Sequence, residues 1–88
     1  MAKKLRTVIF SHPAREAVVE LYGGAELADH ACSGFEFILA RKPESGVEIG
    51  MDMWMIEMEP AGVWRNIVGY YTFDAETVTI HGVVPVPA

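Results

Sequence analysis

The chain has 88 residues, 12 Asp and Glu against 7 Lys and Arg for a formal net charge of −5, 51% hydrophobic residues and one cysteine. A chain this short buries only about 60–65% of the surface its unfolded form exposes, so one core and one domain over residues 1–88 are expected. The single Cys32 excludes an internal disulfide and suits a reducing cytoplasm, and apolar runs far below the ~18–20 residues that cross a bilayer argue against membrane insertion or secretion.

Leu5 to Phe10 is a β-branched and aromatic run that ends at Ser11-His12-Pro13, which predicts a strand followed by a helix start. From Pro13, Ala14, Ala17, Val18 and Leu21 recur at i, i+3, i+4 and i+7, and Gly23-Gly24 supplies a helix stop. A second helix is predicted from about Ala25 to Ala40, with Leu27, Ala31, Gly34 and Ile38 on one face and Phe35 and Leu39 beside it. Gly34 weakens that helix by roughly 1 kcal/mol against alanine. Arg41 and Lys42 suit a helix C-terminus, and Pro43 forbids continuation.

Beyond Pro43 the period becomes strand-like, and turn residues at Glu44-Ser45-Gly46, Pro60-Ala61-Gly62 and Asp74-Ala75-Glu76 separate three predicted strands. In the first, Trp54, Ile56 and Met58 alternate with Met53, Met55, Glu57 and Glu59, so one face is core and the other half methionine, half acid. The second runs from Val63 to Phe73, and Gly69 within it suggests a bulge or bend. In the third, Val78 and Ile80 alternate with Thr77, Thr79 and His81, and Pro85 and Pro87 end pairing. The order β-α-α-β-β-β predicts an α+β fold, with two helices packed on one face of an antiparallel sheet.

Charge follows the same division. Residues 1–44 balance six bases against six acids, whereas from position 45 onward Glu48, Asp52, Glu57, Glu59, Asp74 and Glu76 face Arg65 alone. That half repels phosphate instead of releasing counterions from it, so DNA is not expected as a partner.

The element order, together with Pro43-x-x-Gly46 after the second helix, Trp54 opening a strand, Val63-Trp64-Arg65 after a glycine turn and a closing His81-Gly82-Val83-Val84, resembles the superfamily of small bacterial toxins typified by RelE, ParE and HigB. The resemblance runs from Val8 to Val84 and is nearest the HigB-like branch of phages and mobile elements. It implies a ribosome-dependent mRNA endonuclease, or in the ParE branch a gyrase poison, neutralised by a tightly bound antitoxin. In the ribonuclease branch basic residues on the sheet neutralise the scissile phosphate and help to move protons. Arg65 matches a phosphate-contacting position of the family, and His81 and Tyr71 are the candidates for proton transfer. Two departures stand out. Where HigB-like chains often follow the tryptophan with Glu-Leu-Arg, this one has Met55-Ile56-Glu57, and Pro85-Val86-Pro87-Ala88 stands where a Lys-rich tail is usual. The resemblance therefore implies a toxin-fold protein of a toxin–antitoxin or mobile-element context with weak or lost endonuclease activity, which would meet the ribosome and mRNA only if active.

Other constellations favour plain structural roles. His12, His30 and His81 show no ligand spacing, so neither a metal nor another cofactor is expected. His30 and Cys32 at i, i+2 point about 160° apart on a helix, which makes Cys32 a buried hydrophobe rather than a nucleophile. Gly23-Gly24 follows a helix, the reverse of a phosphate-cradling loop. Trp54, Trp64 and Phe37 could line a pocket between sheet and helices, although aromatic residues at such spacings usually build core. Met51, Met53 and Met55 are more informative: with Trp54 facing the core, they either pack under a loop or, with Glu57, form a flexible apolar and acidic surface fit for a partner, whether an antitoxin or a second copy of the chain. The competing functional class is thus a non-catalytic interaction domain that forms a homodimer through this face. A basic partner would also be drawn to its acids.

Overall fold

Ser11 joins the first strand, β1 (Thr7–Phe10), to the first helix, α1 (His12–Tyr22). Its backbone is extended, its side chain accepts from the Ala14 N–H at 3.2 Å, and Pro13 fills a first-turn position where no N–H is needed. Gly23 closes α1 in the left-handed region at φ 71°, which glycine adopts without Cβ strain. The second helix, α2 (Ala25–Arg41), follows at once and ends at Lys42 before a single 3-10 turn, Pro43–Ser45. These relations come from a computed structural model that describes residues 5–59 and 66–86.

The remaining strands are β2 (Val47–Gly50), β3 (Met53–Met58), β4 (Ile67–Phe73) and β5 (Thr77–Pro85). They form one five-stranded sheet in the order β1-β5-β4-β3-β2, antiparallel except where β1 runs parallel to β5. The sequence-based expectation of two helices on one face of a sheet holds, with two differences in the sheet. Four of the residues after Gly46 form an edge strand, and the sheet is mixed. Asp52, with φ 60°, turns the chain back at the β2–β3 hairpin. The parallel pair is tied by the Thr7 N–H to the Glu76 carbonyl at 2.9 Å and by Arg6 Nε to the Asp74 carbonyl at 2.8 Å. Pro85 still sits opposite Ile67 instead of ending the ladder before it. The predicted turn at Pro60-Ala61-Gly62, the Val63-Trp64-Arg65 segment and Pro87 lie outside the described residues.

Both helices cover the same face. Ala14 and Val18 of α1 and Ala28, Ala31, Cys32, Phe35 and Leu39 of α2 meet Met58, Ile67, Tyr71, Val78, Ile80 and Val83 in one buried cluster. Helix α2 is turned by about one position from the predicted face, so Leu27 is 45% exposed while Ala28 is fully buried. Small side chains at Ala28, Ala31 and Cys32 allow close approach, and Phe35 and Leu39 fill the volume. Burial of a side chain such as Phe35 is worth about 1.5–3 kcal/mol.

Gly69 is not a bulge. It sits in unbroken register between Ile56 and Val83. A Cβ there would stand 2.8 Å from Cε1 of Phe35, so the missing side chain makes the seat for that ring. Gly34 has the same logic on the helix, where a Cβ would lie 2.9 Å from the Met58 methyl. The replacement Gly69→Ala is expected to overpack the seat and lower stability by about 1–3 kcal/mol, read as a shift of the urea midpoint. Gly82→Ala, where a Cβ meets nothing within 4 Å, is expected to change it by less than about 0.5 kcal/mol.

Candidate functional site

With the helices on one side, no described element covers the opposite side of the sheet. Strand alternation decides which residues stand on it. Trp54, Ile56 and Met58 pack toward the helices, so Met53, Met55 and Glu57 face outward, and Val47 joins Met55 across the β2–β3 pair. Register then extends two rows across the sheet: Val47, Met55, Tyr70 and Gly82, and beside it Glu57, Val68 and Val84. The first is apolar except for one phenol, and the second carries one carboxylate. Met51 lies at the hairpin turn and is 97% exposed. Glu57 accepts a hydrogen bond from Nδ2 of Asn66 at 2.9 Å.

His81 reaches this face through a bulge. Tyr70 pairs with Gly82 and Tyr71 with Ile80, which leaves His81 as the extra residue of β5. Ser11 holds the bulge, its N–H donating to the Ile80 carbonyl at 2.9 Å and its hydroxyl to the His81 carbonyl at 3.1 Å. The exposed imidazole shares a 2.8 Å hydrogen bond with the Thr72 hydroxyl through Nε2.

Of the three sequence-derived catalytic candidates, the structure does not bring Tyr71 and His81 together. Tyr71 faces the helices and is fully buried. Its hydroxyl donates to the Pro43 carbonyl and accepts from the Gly46 N–H at 3.2 Å, so it anchors the link between α2 and β2 instead of serving the open face. A Cβ at Gly46 would run into this hydroxyl and the Met55 carbonyl oxygen, which accounts for the glycine. The phenol on the same face as His81 is that of Tyr70. Arg65 lies outside the described residues.

The described cations are elsewhere. Arg15 pairs with Asp29 and donates to the Cys32 sulfur at 3.3 Å, Arg6 sits over Phe73 beside the Asp74 carbonyl, and Arg41 stacks 4.0 Å from the centre of the Phe37 ring. None of the five strands contains a lysine or an arginine; their carboxylates are Glu48 and Glu57, and His81 is their one imidazole. Burial pushes the Cys32 thiol up despite Arg15, so it is a packed side chain and not a nucleophile. No aromatic pocket joins Phe37 to Trp54: Phe37 is 63% exposed, whereas Trp54 packs against Tyr71 and Phe73, and Trp64 lies outside the described residues. His12 is taken up by Glu16 one helical turn on.

Among the described residues the open face carries methionine and valine side chains, Glu57, His81, Tyr70 and the hydroxyls of Thr72, Thr77 and Thr79, a mixture that can bind another surface. Charge developing on phosphoryl oxygens needs fixed cations or aligned donors, and among the described residues this face has no lysine or arginine. Tyr70 was the residue hardest to place from sequence, since reading Gly69 as a bulge obscures which of two adjacent tyrosines faces outward.

No family model matches the chain, and no curated protein matches it. Among solved structures, a chain of the toxin–antitoxin complex RelBE2 from Mycobacterium tuberculosis aligns with a TM-score of 0.67 at 22% sequence identity, over 97% of this chain and 95% of that one. The likeness is one of fold: two helices on a five-stranded mixed sheet, an arrangement shared with that chain of the RelBE2 complex.

Burial raises the Tyr71 phenol above its ordinary value; the Gly46 N–H opposes the rise and Glu44 adds to it. The unfolded chain therefore releases this proton first, near pH 10, and the stability that the neutral phenol contributes below that pH is lost as pH climbs toward the folded value. Tyr71→Phe leaves the Pro43 carbonyl and Gly46 N–H short of a partner and is expected to cost about 1–3 kcal/mol near neutral pH. Denaturation of both proteins across alkaline pH should show that difference narrowing above pH ~10.

Proposed function

We propose that this chain is the toxin-fold member of a HigB-like toxin–antitoxin pair carried on a mobile element, held by an antitoxin in the cytoplasm, with mRNA endonuclease activity weak or lost. The observation that carries the reading is the combination of a RelE-like fold with a sheet whose five strands contain no lysine or arginine. Positioned acids and bases typically contribute about 10²–10⁴-fold to such a reaction, and each needs a partner that stabilises the charged phosphoryl group. Any residual cleavage would rest on Arg65 for the phosphate and His81 for proton movement, with the ribosome supplying the mRNA.

A non-catalytic interaction domain is the second reading, favoured by the exposure of Val47, Met51 and Val84 and the outward turn of Met53 and Met55. In its homodimeric form, two copies would bring like acids together on a chain of net charge −5.

Induced expression in a bacterium without the cognate partner separates these ideas from full toxicity. Growth matching an empty-vector control, with no ribosome-dependent cleavage seen by primer extension of total mRNA, is the expected result. Growth arrest that Arg65→Ala or His81→Ala relieves would show that the chemistry is intact.

A further inference from the structure

The open sheet face combines an apolar row with carboxylates at its margin. Across four neighbouring strands, Val47, Met55, Tyr70 and Gly82 form a row of about 15 Å at ordinary strand spacing, long enough to support one helix or extended segment. Val68 and Val84, the latter 42% exposed, continue the apolar surface on one side, and Ile9, 48% exposed, stands on β1 at the sheet's far edge. Met51 and Val47, 97% and 62% exposed, extend it at the β2–β3 hairpin. Thioether side chains repack readily against irregular partners.

Charge selects the occupant. Glu57 stands in the second row and Asp52 at the turn of the β2–β3 hairpin that bounds the face, whereas Glu48, paired with Trp54, has the parity of the helix side. Among the described residues after position 45 there are six carboxylates and no lysine or arginine. A second copy would set these acids against themselves, and nucleic acid would set its phosphates against them.

We propose that this face docks a cationic amphipathic segment of a partner protein, whose apolar side chains cover Val47, Met55 and Val68 while its Lys or Arg residues reach Glu57 and Asp52. The inference stands on the face itself and holds whether or not the toxin–antitoxin reading does. Such a contact steers association and weakens with salt, because the acids at its rim are exposed to solvent.

The test uses the full chain with two synthetic peptides of one amphipathic pattern, one built from Leu and Lys and the other from Leu and Glu, titrated by calorimetry at two salt concentrations. The Leu–Lys peptide is expected to bind, with affinity falling as salt rises, and the Leu–Glu peptide to bind at least about tenfold more weakly, or about 1.4 kcal/mol. Glu57→Lys and Met55→Lys are each expected to weaken the Leu–Lys peptide by about tenfold or more, whereas Glu26→Lys on α2, the same change of charge away from the face, leaves it within about twofold. Amide shifts on peptide addition should map to β2, β3 and β4. Equal losses from Glu26→Lys and Glu57→Lys, or shifts confined to the helices, would overturn the proposal, since binding would then follow net charge alone. Self-association of the chain that Met55→Lys abolishes would overturn it in favour of a homodimer, and tighter binding of a short single-stranded RNA than of the Leu–Lys peptide would do so in favour of nucleic acid. If Met55→Lys does not fold, the exposed Glu57→Lys decides.

Discussion

The seating of the Phe35 ring over Gly69 is the contact on which the rest of the structure depends. It sets how closely α2 approaches the middle of the sheet, where any side chain on Gly69 would meet the ring. The approach buries Phe35 and Tyr71 completely, and it places Tyr71 where its hydroxyl can hold the Pro43 carbonyl and the Gly46 N–H. That clamp fixes the passage from α2 to β2. Both helices are thereby committed to one face, and the residues of opposite parity are left on the other.

Parity gives the open face its character. Along β3 the same alternation that buries Ile56 and Met58 turns Met53, Met55 and Glu57 outward, and the pairing of β3 with β4 brings Tyr70 and Val68 alongside. In a RelE-like fold that harbours RNA-cleaving chemistry, cations would be needed where this sheet presents thioethers, valines and a glutamate. The described arginines are bound to other tasks on the helices and at the sheet margin: Arg15 to Asp29, Arg6 to the β4–β5 turn and Arg41 to Phe37. The fold is shared with a chain of a toxin–antitoxin complex, while the described part of the open face carries no lysine or arginine.

Local signals were the legible ones. Ser11-His12-Pro13 names a strand end, a cap and a first-turn proline within three residues, and the spacing of Ala14, Val18 and the following glycines gives α1 with nearly its observed limits. The alternation around Trp54 identified both faces of β3. What stayed hidden depends on contacts between distant residues. Strand β2 has four exposed residues and exists through pairing with β3, so its own pattern carries little signal. The parallel pairing of Thr7–Phe10 with Thr77–Ile80 joins segments 70 residues apart, and no local rule announces it. Gly69 was visible as an anomaly, but whether it bends a strand or admits a ring depends on Phe35, which belongs to the other layer. The choice between Tyr70 and Tyr71 depends on that same fact.

Association with ribosomes is the quantity that bears most directly on a sheet whose five strands hold no lysine or arginine. Co-sedimentation of the purified chain with bacterial ribosomes, at low and at physiological salt, should leave it in the supernatant in both conditions, because the five described strands offer no lysine or arginine to rRNA or mRNA phosphates. Stoichiometric pelleting that is strong at low salt and fades as salt rises would reveal a functional phosphate-binding surface and contradict this view of the protein.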